Sequence, residues 1–149
     1  MRAPRKIAIN RDDSLARFVG RARDGRQFFA VSCLADDSPR QHAEFCALYL
    51  FDAQGDLLEA RIEEVTARQG NDETVVALEQ MVAELGEVVF GRIEVKPFSV
   101  KRFGLEFGLV VQRPARSERA RGEDWLWVSL RPGDAMAFQP PFDSGEYDT

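Results

Sequence analysis

At 149 residues, with 44% hydrophobic and 30% charged side chains, the chain suits one globular domain and is short for two. Eleven Phe and two Trp can build a core without metals or disulfides, since each fully buried large apolar side chain contributes roughly 1.5–3 kcal/mol. The net charge of −5, with no clustered aromatic–basic motif, disfavours a nucleic-acid partner.

The opening residues MRAPRKIAIN lack the apolar run of a secretory signal, and no stretch approaches the ~18 apolar residues of a membrane span. The expectation is a cytoplasmic protein with no membrane association. Seventeen Arg against three Lys suggest a GC-rich bacterial source. Residues 1–26 carry eight basic and three acidic side chains, a net +5, which leaves −10 for the rest. An exposed N-terminus and the solvent face of a hairpin account for that basic start.

Residues 1–14 read as loose, with a possible edge strand at 6–10. Strand-like runs at 15–22 and 27–34 flank Arg23-Asp24-Gly25-Arg26, and Asp-Gly there predicts a type I′ hairpin turn. Residues 35–43 form a connecting loop. EFCALYLF (44–51) is almost continuously apolar, which predicts a central strand buried on both faces. After a turn at 52–56, Leu58, Ala60 and Ile62 alternate with Glu59, Arg61 and Glu63, the pattern of a half-buried strand.

The period then changes. Val75, Leu78, Met81, Val82 and Leu85 mark a helix over about 72–85, capped by Asn71 or Asp72 and ended by Gly86. Residues 87–95 resume as strand, and Pro97 demotes the next few residues to a sheet edge. Phe103, Leu105, Phe107, Leu109 and Val111 alternate inward; Gly104 and Gly108 in that run mark a bulge or a close backbone approach. Residues 112–123 read as a mobile loop. A strand at 124–130 carries Trp125 and Trp127 on one face, Pro132-Gly133 suits a type II turn, and a short strand at 135–138 leads to the tail at 139–149.

Chemical signals are sparse. The single histidine, His42, sits in a loop with no triad or nucleophile-elbow context. Cys33 and Cys46, thirteen apart, match no zinc spacing and read as buried small hydrophobes. No phosphate-binding glycine motif is present. Asp143, Glu146 and Asp148 could hold a hard cation weakly, but a solvated acidic tail is the simpler reading. Glu94 and Glu106 are a conceivable acid pair on neighbouring strands. No cofactor or metal is expected. Phe138, Phe142 and Tyr147 surround Pro140-Pro141, and such an extended segment either folds back onto a sheet edge or reaches a partner.

The segments DGRQFF (24–29), EFCALYLFDAQGDLLEARIEE (44–64), VKPFSV (95–100) and MAFQPPFDSGEYDT (136–149) resemble small stand-alone bacterial proteins with no activity attached. The resemblance implies a complete bacterial protein and transfers no cofactor or binding residue.

The fold expected is α+β: one domain with a hairpin-rich, twisted antiparallel sheet of about six to eight strands and the helix packed on a face. Core positions are Phe18, Phe28, Phe45, Leu48, Leu50, Ile62, Leu78, Val82, Leu85, Val89, Ile93, Phe107, Leu109, Trp127 and Val128. The function expected is a non-enzymatic protein-interaction module: an adaptor, an immunity-type inhibitor or a docking subunit. Its contact residues would be Phe142, Glu146, Tyr147 and Asp148, with Arg116 and Arg119 as a second patch; its partner would be another protein, and a homodimer stays open. The alternative is a small-ligand binder or an enzyme with a carboxylate or arginine site, lined by Glu44, Arg92, Glu106 and Trp125.

Overall fold

The structure is a computed structural model that describes residues 2–35, 43–65 and 71–149. His42 and most of the 35–43 loop lie outside the described residues, as do the side chains of Asn71 and Asp72. Among the described residues, eleven strands form three antiparallel sheets. The first holds β2 (Phe18–Ala22), β3 (Gln27–Ala35), β4 (Ala43–Phe51), β5 (Leu57–Val65) and β6 (Val88–Phe90) in the order β5-β4-β3-β2-β6. The second holds β8 (Phe98–Arg102), β9 (Leu105–Gln112), β10 (Trp127–Arg131) and β11 (Ala137–Phe138) in the order β11-β10-β9-β8. A two-stranded ribbon pairs β1 (Ile7–Ile9) with β7 (Ile93–Val95). The helices are α1 (Asn71–Ala83) and the short α2 (Arg116–Ala120). The α+β class, the antiparallel pairing and the single main helix are as the sequence indicates.

The five-stranded sheet is the middle layer. Along β3 and β4, Phe28, Ala30, Cys46, Leu48 and Leu50 face α1 and meet Leu78, Met81 and Val82. The alternate residues Phe29, Val31, Cys33, Ala47, Tyr49 and Phe51 face the second sheet and the ribbon. Strand β4 is therefore buried on both faces, as its unbroken apolar run requires. Phe98 enters from β8 with ring centroids 4.7 Å from Tyr49 and 5.4 Å from Phe51. Gln27, fully buried, fastens the ribbon to this sheet: its Nε2 donates to Asp52 O and Glu94 O, both at 3.0 Å, and its Oε1 accepts Glu94 N–H at 2.8 Å.

Several local expectations change. Gly25 alone takes a left-handed φ (+92°) in the first hairpin, and Ala22 N–H donates to Arg26 O at 2.8 Å, so the connection is a three-residue loop with a glycine bulge rather than a type I′ turn. Leu58 is exposed because β5 holds one extra residue there: Phe51 pairs with Leu57 and Leu50 with Glu59. Leu57 takes the inward place instead. The strand expected at 87–95 divides at Gly91-Arg92 into β6 and β7, which belong to different sheets. Val89, placed in the core by pattern, faces outward and is 76% exposed. Ile7 and Ile9 are fully buried, so the N-terminal segment includes a core strand. Phe103, expected inward, lies in the β8–β9 turn with φ +56° and is exposed. Asp134 N–H donates to Leu130 O at 3.0 Å, which makes the Pro132-Gly133 turn one residue wider than type II.

Tyr49 is fully buried, and its hydroxyl has no hydrogen-bond partner among the described residues. Burial also pushes that phenol well above its ordinary pKa. An unpaired buried hydroxyl costs about 1–3 kcal/mol. Tyr49→Phe is therefore expected to keep or raise stability, by about 1 kcal/mol in denaturant titration; a loss of that size would reveal a partner for the hydroxyl.

Candidate functional site

The C-terminal tail folds back onto its own domain. Ala8 N–H donates to Phe142 O at 2.9 Å and Asn10 N–H to Gly145 O at 3.1 Å, which extends the open side of β1. Ala137 and Asp148 exchange backbone hydrogen bonds of 2.9 and 2.8 Å. Arg92 clamps the bend by donating to Asp143 O at 2.6 Å and to Asn10 Oδ1 at 3.2 Å. Phe142 and Tyr147 are half-buried against the main core, and the Tyr147 ring lies 5.8 Å from Phe138. Their apolar area is thus committed to this chain, while Glu146 and Asp148 remain exposed.

The Tyr147 hydroxyl donates to Asp12 Oδ2. Burial pushes the Asp12 carboxyl up, but hydrogen bonds from Tyr147 and from the Ser14 and Ala16 N–H groups, with the Arg11 charge, outweigh it and hold it below its usual value. Burial first, and then Asp12, raises the Tyr147 phenol. The Asp12 contribution to stability is therefore present above its unfolded pKa of roughly 3.9 and is lost as pH falls through the lower folded value. The Tyr147 contribution is present below its unfolded pKa of about 10 and is lost as pH rises through the higher folded value. Melting temperatures of the wild type and Tyr147→Phe should differ most between these limits, and the difference should shrink as pH falls through the lowered Asp12 value. A difference that stays constant through acid titration, or grows, would contradict the latch.

Arg116 and Arg119 are exposed on α2, which occupies part of the segment expected as a mobile loop. Glu118 Oε2 accepts Ala115 N–H at 2.8 Å and starts that turn. The four residues of the alternative reading do not form one site. Glu44 accepts from Thr74 Oγ1 at 3.1 Å beside a cleft of about 280 Å³ at the start of α1. Glu106 accepts from Ser99 Oγ at 2.8 Å on the second sheet. Arg92 holds the tail, and Trp125 stands next to Trp127. Glu94 is on the ribbon and Glu106 on β9, so the two acids are not on neighbouring strands. Cys33 and Cys46 are buried free thiols on opposite faces of the first sheet, and burial pushes them up to about 12 and about 11.

The tryptophans carry the clearest surface signal. Leu126, Val128 and Leu130 are buried; along β10, strand alternation sends Trp127 and Ser129 to the outer face of the second sheet, and Trp125, just before the strand, packs beside Trp127. Trp127, expected in the core, is 41% exposed, and Trp125 is 38% exposed. Their ring centroids are 5.5 Å apart at 46°. They border a cleft of about 390 Å³ with Gln112, Asp134, Gln139 and Asp148. Gln112 lies opposite Trp127 in register, and Gln139 Nε2 donates to Asp148 Oδ2 at 2.7 Å. Arg131 pairs with Asp134 at 2.8 Å. Of the expected contact residues, Asp148 lines this cleft, Glu146 lines a neighbouring depression with Gln139 and Tyr147, and Arg116 and Arg119 line neither.

Among the described residues, no Asp, Glu, Lys or Arg is buried, no three His, Cys, Asp or Glu gather as metal ligands, and no helix is long and apolar enough to cross a membrane. Compared with protein-family models, curated proteins and solved structures, the chain matches none.

Proposed function

We propose that the chain is a non-enzymatic protein-interaction module of a bacterial cell, in an adaptor, immunity-type or subunit role, and that it contacts its partner through the Trp125–Trp127 cleft. The observation that carries this reading is the pair of large aromatic rings held together on a sheet face and left open to solvent. Tryptophan dominates binding energy at protein interfaces because it offers large, rigid contact area. The core supports the same reading, since it is filled by apolar side chains and encloses no charged group among the described residues. The tail contributes Asp148 and spends Phe142 and Tyr147 on holding that edge in place.

Selection from a displayed random-peptide library tests this reading. Peptides enriched on the wild type should lose binding to the Trp125→Ala/Trp127→Ala double variant and retain binding to Arg116→Ala/Arg119→Ala. No enrichment, or equal binding to the tryptophan double variant, would refute it.

A further inference from the structure

We infer that the Trp125–Trp127 cleft takes a cationic side chain, arginine or lysine, presented by an extended segment of a partner protein; this rests on the interaction-module reading above. Two arguments carry it. Indole faces attract cations more strongly than any other aromatic side chain, and here two neighbouring indoles line one cleft. The charge of the lining is the second argument. Asp134 and Asp148 line the cleft, and among the described residues no basic side chain does. Arg131 already balances Asp134. Asp148 has no ion-pair partner among the described residues; its one side-chain contact is the neutral Gln139 amide. The cleft therefore holds the Asp148 carboxylate, which has no ion pair among the described residues, beside two cation-attracting rings.

The carboxylate is also held in position. Both backbone hydrogen bonds between Asp148 and Ala137 fix its main chain, and Gln139 occupies Oδ2, leaving Oδ1 to accept from an incoming guanidinium or ammonium. Gln112, across from Trp127, offers an amide that can both donate to and accept from the peptide backbone. At about 390 Å³ the cleft suits one long side chain with its neighbouring peptide groups. An anionic ligand, nucleic acid included, would meet Asp148 with like charge. A neutral sugar could stack on the indoles but would gain nothing from the charge of the Asp148 carboxylate.

Binding to the full-length protein tests the inference, using calorimetry and tryptophan emission. The probe is a capped hexapeptide with two arginines; the controls are the same peptide with glutamine or glutamate at those positions, and maltohexaose. The arginine peptide should shift the emission and bind at least tenfold more tightly than the glutamine peptide. Asp148→Asn and Trp127→Ala should each weaken it fivefold or more, with melting temperatures close to the wild type. Equal affinity for the glutamine peptide, preference for the acidic peptide or for maltohexaose, or unchanged affinity in Asp148→Asn would each overturn the inference. If the arginine and glutamine peptides bind equally and both are lost in Trp127→Ala, the cation inference falls while the interaction-module reading stands. If the library also yields no cleft-dependent peptide, both fall.

Discussion

A chain ending at Gln139 is expected to melt about 10 °C or more below the full-length protein. Truncation removes two aromatic side chains from the main core, Phe142 and Tyr147. It also frees the Ala8 and Asn10 N–H groups and the Ala137–Asp148 pair, and strips Arg92 of its carbonyl acceptors at Asp143 and Ser144. Partial loss of two large side chains plus several backbone hydrogen bonds amounts to about 3–5 kcal/mol. At about 2–4 °C per kcal/mol for a domain of this size, calorimetry should resolve the difference easily. A midpoint within about 2 °C of the full-length value would mean that the tail is not part of the fold. The result also decides how tail variants are to be read. Loss of binding in Phe142→Ala or Tyr147→Ala would report on stability first, whereas Asp148→Asn reports on the cleft.

Gly108→Ala should destabilise the protein by about 3 kcal/mol or more, among the largest effects of any single-methyl addition. Gly108 has φ +140°, a conformation that L side chains rarely adopt. A Cβ there would stand 2.2 Å from Phe98 O and 3.1 Å from the Phe98 ring. Strand β8 would have to retreat from β9, and with it Phe98 would leave its place against Tyr49 and Phe51. Gly104, in the adjacent turn, has φ +73° but open space around it; Gly104→Ala should cost only about 1 kcal/mol. Comparing the two in urea separates packing from backbone conformation. Equal small losses would show that β8 adapts freely.

Much of the fold could be read from pattern. The apolar run 44–51 required a strand covered on both sides, and the change to helical spacing after 72 located its cover. Of the two glycines expected to mark a bulge or a close approach, Gly108 is a close approach to Phe98, whereas Gly104 sits in the β8–β9 turn with open space around it. The errors share a cause: alternation gives two faces and does not say which one is inward. For 125–130 the inward face holds Leu126, Val128 and Leu130, and its apolar character is the signal that sends both tryptophans outward. Leu58 moved because a bulge adds a residue, which no periodicity reveals. Val89 is exposed because β6 is a three-residue edge strand, and a division at Gly91-Arg92 depends on partners distant in sequence.

The candidate site was less legible. Asp148 is an expected contact residue, but Gln112, Asp134 and Gln139 come from three different stretches, and only the pairing of β9, β10 and β11 brings them together. The aromatic tail residues favour self-docking by sequence, since rings in a free tail would waste apolar area, but an interface stays open because a half-buried ring has the same sequence signature in both. Contact with Asp12 and Phe138 assigns them to the domain's own packing.

Amide NMR of the full-length protein during titration with the two-arginine peptide is the most direct test of the central claim, that the outer face of the second sheet is the binding surface. With two tryptophans in the chain, two indole N–H signals report on the cleft itself. Both should move with the peptide, together with the backbone of Gln112, Gln139 and Asp148, while Arg116, Arg119 and the α1 face stay fixed. Unmoved indole signals, with shifts gathered on α2 or on α1, would contradict the account.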